Sequence, residues 1–316
     1  MTGVEAESGL RFFGAEEIRA LTPPPERCCE LASQALRWLA AGEIEVPAKF
    51  GVHPRGGRHV HAMPAYCKPL EVIALKWVAD FPSNRARGLP TISALILLND
   101  GKTGVPYAVM DGNWITATRT AAMTAVSLAA CASRSETLAL VGTGLEARTH
   151  LQIVPAALPS LRKVHLVGRT RAAAEKFVAA NPTPLHVEIY DDVRSAVRAA
   201  DVIVTVTNQM SEQLVEPEWL ARGATIAFID NPAKERAVLE AADRIVVDDR
   251  KPFETDDGRA RFKNVKLRID AEIGHVLLGN VPGRTSSEEL VAIANLGNAA
   301  LDVVFADDFY RRAVAP

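Results

Sequence analysis

The sequence predicts an α/β protein in which a parallel-sheet domain is inserted into a discontinuous α+β domain. The first observation is the stretch Leu138–His150, LALVGTGLEARTH, where an apolar strand-like run enters a glycine turn and a helical pattern follows. The second is what comes next: short apolar runs alternate with helical patterns of about ten residues, as a parallel sheet with crossover helices requires. The third is the contrasting first hundred residues, where strand-like runs follow one another with no helix between them.

Taken in chain order, the first part (about Leu10 to Asp111) opens with helices. Pro23–Pro25 precede a helical pattern over Glu26–Ala41, with Leu31, Ala35, Leu36 and Leu39 at helical spacing. Strand candidates follow at Glu45–Val52, His59–Pro64, Glu71–Val78, Thr91–Leu98 and Pro106–Met110. Asn99-Asp100-Gly101 has the composition of a hairpin turn. Ile115–Ala132 reads as a long helix leading into the glycine turn. Beyond it, strands are expected at Lys163–Gly168, His186–Ile189, Asp201–Val206, Ala224–Ile229 and Arg244–Val247. Helices are expected at Arg171–Asn181 and Asp191–Ala200, the second opened by an aspartate cap. A last helical pattern over Glu288–Ala313 would return to the first part. The expected division is therefore 1–118 with 288–316, and 119–287 between them.

The glycine turn has a physical reading. In Gly142-Thr143-Gly144, Gly142 permits the tight turn and Gly144 lets backbone approach a pyrophosphate. Ala147 is small enough for helix and strand to pack, and the helix N-terminus faces the anion. The inserted domain is thus expected to be a Rossmann dinucleotide-binding domain. The end of its second strand bears on which dinucleotide. A carboxylate there binds the ribose 2′-hydroxyl of NAD. This chain has Gly168-Arg169-Thr170-Arg171 instead, two guanidiniums and a hydroxyl that suit a 2′-phosphate, so NADP is favoured over NAD.

The remaining composition excludes more than it identifies. A net charge of −2 over 316 residues gives no general attraction to nucleic acid or to an anionic membrane. Cys28, Cys29, Cys67 and Cys131 have neither metal nor disulfide spacing, which fits a reducing cytoplasm. The first residues, MTGVEAESGLRF, lack the pattern of a signal peptide, and no apolar run is long enough to span a bilayer. His53, His59 and His61 alternate along a strand and invite a metal reading. Nothing nearby completes a ligand set, so no metal is expected.

An ordered series of segments resembles the ornithine cyclodeaminase/mu-crystallin family. It runs through Val46-Pro47-Ala48-Lys49, Met63-Pro64-Ala65-Tyr66, Leu75-Lys76-Trp77-Val78, Pro82-Ser83-Asn84, Leu89-Pro90-Thr91, Thr103-Gly104, Met110-Asp111-Gly112 and Ile115–Ala122. After the glycine turn it resumes at Asp230-Asn231-Pro232-Ala233-Lys234, Glu272-Ile273-Gly274, Gly283-Arg284 and Gly297. The resemblance implies a homodimer built through the flanking α+β domain, which also binds substrate, and a site in the cleft between the domains. It implies that Lys76 is the catalytic, active-site lysine and contacts a substrate carboxylate, that Lys49 grips the same group, and that Arg119 touches substrate and cofactor. Asp230 would serve as acid and base. Thr91, Thr143, Leu145, Glu146, Thr205, Thr207, Lys234 and Asn295 would join Gly142, Gly144, Arg169, Thr170 and Arg171 around the cofactor, and His61 and Leu296 would lie against the substrate.

Elementary chemistry agrees with this. An α-amino or α-imino acid carries a carboxylate, which Lys49, Lys76 and Arg119 could hold. Hydride transfer at a C–N carbon needs a proton moved at nitrogen, which Asp230 past a strand end could do. Without the resemblance, Lys76 could point outward from an edge strand, Arg119 could be a surface residue, and Asp230 a turn or cap residue. Departures bear on the subfamily. His61 stands where the cyclodeaminase has a carboxylate, and Gly168 replaces that enzyme's ribose-binding aspartate. Val291, Ile293 and Asn295 replace a Thr, a Phe and a Ser, and Arg236-Ala237 replaces Glu-Leu. The leading expectation is an NADP-dependent oxidoreductase acting on a small amino or imino acid. The alternatives are a cyclodeaminase-type lyase with bound NAD and a non-catalytic NADPH-binding protein.

Overall fold

The structure, a computed structural model, describes residues 9–54, 58–207, 213–229 and 231–315. The described chain divides into two compact units. The first takes the residues up to Pro24, Ala41–Arg119 and those from Asn298 onward; the second takes Pro25–Ala40 and Thr120–Gly297.

The first unit is a mostly antiparallel sheet with a helix on one face. Its strands are β1 (Arg11–Phe13), β2 (Ile44–Glu45), β3 (Phe50–Val52), β4 (His59–Cys67), β5 (Val72–Asp80), β6 (Ile92–Asp100) and β7 (Pro106–Asp111). They lie in the order β1-β7-β6-β5-β4-β2, with β3 also on β4. Only the β1–β7 pair is parallel. β5 is central, and its register sets Met63 beside Lys76, Lys76 beside Ile96, and Ile96 beside Met110. Side chains alternate between faces along a strand, so this row shares one face. The C-terminal helix Ala299–Val314 packs against β4, β5 and β6. The other face carries Trp77 opposite Leu95, with Phe12 beside Val109, and Trp77, Leu95 and Phe12 are exposed.

Two expectations change here. The single strand over Glu45–Val52 is two short ones, β2 and β3. Pro47, which can donate no ladder hydrogen bond, lies in the gap between them. β1 has no signature in the sequence, because three residues are too few to show a period. The hairpin turn stands: the Asp100 carboxylate accepts hydrogen bonds from the Lys102 and Thr103 backbone N–H groups at 3.1 and 2.7 Å.

The second unit is a parallel sheet of β8 (Thr137–Val141), β9 (Lys163–Val167), β10 (His186–Tyr190), β11 (Val202–Thr205), β12 (Thr225–Phe228), β13 (Arg244–Val247), β14 (Ala271–Glu272) and β15 (Val291–Ala294). The order is β10-β9-β8-β11-β12-β15-β13-β14. The chain winds outward from β8 through β9 to β10, then outward the other way through β11 to β12. The direction reverses between β8 and β11, the place where such sheets bind ligands beyond their carboxyl ends. The core is the doubly covered strand interior, with Ile203, Ile226, Phe228 and Ala292 fully buried.

Val291–Ala294 is a strand between β12 and β13, and helix begins only at Ala299, which corrects the expected helix from Glu288. VAIA is buried on both faces, so it shows neither strand alternation nor helical period. It belongs to the second unit. So does the helix Pro25–Ala40, which packs on the helices Leu145–Ala157 and Ile273–Leu277. The helix expected over Asp191–Ala200 spans only Val193–Val197, capped by Asp192 through the Ser195 N–H. Arg284 ties this unit together: its guanidinium donates to the carbonyls of Cys131, Gly223 and Glu289 and to the Thr225 hydroxyl.

Candidate active site

In the first unit the structure brings Lys76 and Arg119 onto one carboxylate. Lys76 stands in the middle of β5, 1% exposed, which rules out the edge-strand reading. Its Nζ lies 2.6 Å from Asp302 Oδ2. Arg119, on the helix Gly112–Cys131, donates from Nε to Asp302 Oδ1 at 3.0 Å and is also buried. Asp302 itself is fully buried on the helix Ala299–Val314. Charges out of water cost several kcal/mol each unless paired, so the three must be counted together. Two cations against one anion leave one positive charge, set among Met63, Ile96 and Met110.

The charge states follow from this packing. Burial pushes the Lys76 ammonium down to about 8; Arg119 pushes the same way, Asp302 opposes, and Lys49 adds a small lowering. Burial would raise the Asp302 carboxyl, but Lys76 and Arg119 outweigh it and hold it below its ordinary value. Arg119 engages the carboxylate through Nε; among the described residues its two terminal nitrogens make no hydrogen bond. Lys49, half-buried in the segment before β3, is close enough to bear on Lys76. His61 lies on the Lys76 face of β4, two residues from Met63. Its ring centroid is 4.7 Å from that of His59 and 6.0 Å from that of His53, and His59 Nε2 is 3.6 Å from Asp80 Oδ2. Among the described residues no group of three or more His, Cys, Asp or Glu side chains is placed to hold a metal ion. Thr91 precedes β6, where its carbonyl accepts from the Phe81 N–H at 2.7 Å.

The second unit presents the glycine turn at the carboxyl end of β8. Gly142 has φ +133°, and a Cβ there would come 2.8 Å from the Val206 carbonyl oxygen. Gly144 is the N-cap of the helix Leu145–Ala157, has no side chain to cap it, and would hold a Cβ in open space. The first N–H groups of a helix lack intrahelical acceptors and attract anions. Thr143, Leu145 and Glu146 follow the same path around the helix start. Thr205 ends β11, and Asn295 directly follows β15. Among the described residues, Thr205 Oγ1 and both polar atoms of the Asn295 amide are buried with no hydrogen-bond partner. Buried polar atoms are nearly always satisfied, so these fit a polar ligand at the carboxyl ends of the central strands. The Leu296 N–H donates to Asp248 Oδ1 at 3.0 Å, which fixes the backbone next to Asn295. Thr207 follows β11, and Lys234 ends the short turn Pro232–Lys234. Asp230 lies outside the described residues.

At the end of β9 the three residues expected at the ribose differ in what they have left to offer. Thr170 caps the helix Arg171–Ala180, accepting from the Ala173 N–H at 3.2 Å, and keeps its own proton to donate. Arg171 is held by Asp191 at 2.8 Å. Arg169 is exposed and has no partner among the described residues.

Asp302 is the residue that sequence reasoning missed. The signal was present: in ALDVVF a carboxylate interrupts an apolar stretch of helix, and a buried carboxylate demands a cation.

A Rossmann unit and an α+β unit that carries a buried, positively charged cluster define an α/β protein of the dinucleotide-binding class. The chain belongs to the ornithine cyclodeaminase/mu-crystallin family, whose model matches residues 15–315. It is 28% identical over 297 residues to the nodulation efficiency protein NfeD of Rhizobium meliloti, covering 93% of this chain and 92% of that one. A solved Δ1-pyrroline-2-carboxylate reductase of Thermococcus litoralis, in complex with NADH and L-proline, matches with a TM-score of 0.87 and 25% identity over 96% of this chain and 98% of its own. An archaeal alanine dehydrogenase dimer with bound NAD matches with a TM-score of 0.85 and 28% identity over 97% of this chain and 96% of its own. Among the described residues no helix is long and apolar enough to cross a membrane.

Proposed function

We propose that the protein reduces the C=N bond of a small imino acid with NADPH. The observation that carries this reading is the buried group Lys76–Asp302–Arg119, whose one uncompensated positive charge suits a single carboxylate. Lys76 and the free edge of the Arg119 guanidinium hold that carboxylate, with Lys49 adding to the field. The glycine turn and the helix start at Leu145 hold the pyrophosphate, and Thr205 and Asn295 offer buried hydrogen bonds to the nicotinamide end. When bound, the dinucleotide supplies the hydride. Asp230 delivers the proton to nitrogen, a role resting on its place after β12 in the sequence. Arg169 and the Thr170 hydroxyl proton meet a 2′-phosphate, which favours NADP over NAD.

Of the described carboxylates near Lys76, Asp302 is held by two cations and Asp80 lies beside His59, so neither is free for the second ammonium of a diamino acid. That weighs against the lyase. The exposed apolar face with Phe12, Trp77 and Leu95 supports a homodimer through the sheet of the first unit, as an apolar patch of this kind marks an interaction surface. Four free thiols support a reducing compartment, the cytoplasm.

The test is turnover of Δ1-pyrroline-2-carboxylate and Δ1-piperideine-2-carboxylate with NADPH and with NADH. NADPH oxidation by the imino acid is expected. No turnover with either cofactor, or ammonia released from ornithine without net redox change, contradicts the reading.

A further inference from the structure

Asp302 touches no group to which the proposed reaction gives a chemical part, yet the two principal substrate cations depend on it. We propose that Asp302 is the positioning residue of the carboxylate receptor: it divides its two oxygens between Lys76 and Arg119, and so holds two like charges together in an apolar setting, aimed at a second carboxylate. The inference rests on the reading of this cluster as the substrate-carboxylate site.

The geometry supports the assignment at each step. Lys76 and Arg119 come from a strand and a helix, and the third element, Ala299–Val314, reaches both through one side chain. That helix begins with a side-chain cap, Asn298 accepting from the Ala300 N–H at 3.1 Å, which fixes its first turn. Asp302 lies in that turn, where the helix dipole favours an anion. The charged groups bearing on Lys76 are Arg119 from the helix Gly112–Cys131, Asp302 from the C-terminal helix, and Lys49 from the segment before β3. β6 and β7 contribute Ile96 and Met110 at the matching register, and their acidic residues, Asp100 and Asp111, stand at the carboxyl ends of the two strands. β4 contributes Met63 beside Lys76, with His61 and His59 farther along the same face, and Asp80 lies opposite His59 on β5. Of these, Asp302 is the one acidic group in contact with Lys76.

Removing its charge therefore leaves the ammonium with burial and two cations against it. Its proton is then lost at a lower pH than the value of about 8 it has with Asp302 in place.

The experiment is NMR titration of protein carrying 13Cε-lysine, with the Lys76 signal assigned through Lys76→Met, alongside the pH dependence of KM for Δ1-pyrroline-2-carboxylate with NADPH. In Asp302→Asn the Lys76 midpoint is expected to fall by a unit or more. The alkaline rise in KM moves down by the same amount, so the deficit is largest between the two midpoints and closes outside them. Asp302→Glu keeps the charge and leaves the midpoint near the wild-type value while KM rises, and it carries the test alone where Asp302→Asn does not fold. An unmoved or raised Lys76 midpoint in Asp302→Asn, a KM increase equal at every pH, or a midpoint in Asp302→Glu that falls as if the charge were absent overturns the proposal. Wild-type protein with no turnover at all, but with the expected Lys76 titrations, sinks the proposed reaction and leaves the role of Asp302 over the cations standing.

Discussion

On the proposed reading, the two units meet negative charge by opposite means. The second unit uses backbone: a left-handed glycine, an uncapped helix start and open space at Gly144. The first uses side chains: two buried cations and one buried anion, the partners of the Arg119–Asp302 bond standing 183 positions apart in the chain. A diphosphate is diffuse and accepts many N–H donors, so backbone dipoles suffice for it. A single carboxylate that must be oriented for reaction at the neighbouring carbon calls for fixed charges in a low-dielectric setting.

The difference can be broken most forcefully at Lys76. Lys76→Met leaves Arg119 and Asp302 as a neutral pair, so the substrate's carboxylate is buried without its cation, a loss worth about 3–5 kcal/mol in binding. At about 1.4 kcal/mol per factor of ten, kcat/KM for an imino acid should fall roughly 10²- to 10⁴-fold. NADPH binding followed by fluorescence should stay close to wild type, since the backbone site is separate chemistry. Equal losses in both would erase the distinction between the units.

The glycines sharpen it from the other side. Gly142→Ala forces a side chain into a left-handed conformation against the Val206 carbonyl, and strain of this kind costs about 1–3 kcal/mol, read by urea unfolding. Gly144→Ala has room in the folded chain, so stability should hold to within about 1 kcal/mol while dinucleotide affinity drops about tenfold, because the methyl stands where backbone meets pyrophosphate. Unchanged dinucleotide affinity in Gly144→Ala would place the ligand elsewhere.

A pH series separates stability from binding. Lys76 titrates near 8 when folded and near 10.5 when unfolded, so between those values the unfolded chain binds more protons. Its contribution to stability thus rises with pH across that window, and is flat below it. Affinity for a carboxylate falls over the same window as the ammonium loses its charge. Denaturation and ligand binding measured from pH 7 to 10 should move in opposite directions, and parallel movement would count against the assignment.

The smallest effect is at Arg169. Exposed charge pairs are worth about 1 kcal/mol or less, so Arg169→Ser should raise the KM for NADPH up to about fivefold and leave NADH within about twofold. An equal change for both dinucleotides would remove the argument for the 2′-phosphate.

What could be read from the chain follows the same division. The glycine turn and the alternation around it are local, and β8, β9, β11 and β13 lie where the periodicity puts them. Lys76 and Arg119 were legible through the resemblance, because each sits in a recognisable segment. Asp302 leaves one local mark, a carboxylate inside the apolar run ALDVVF, but its partners are distant and the chain does not say which cations it meets. Val291–Ala294 is hidden for a related reason: a strand wedged between two others is buried all round, and only its neighbours tell it from a helix. The roles expected at the ribose also divide once neighbours are known, because Arg171 is bound to Asp191 and Thr170 to its own helix.

The central claim is that one uncompensated buried charge in the first unit receives the substrate's carboxylate. Calorimetric titration of the NADPH-loaded protein with pyrrole-2-carboxylate and with pyrrole-2-carboxamide, two rings of the same shape with and without the charge, tests it directly. The account predicts binding of the carboxylate at pH 7, lost in Lys76→Met, and no detectable binding of the amide. Equal affinity for the two, or carboxylate binding that survives Lys76→Met, would contradict it.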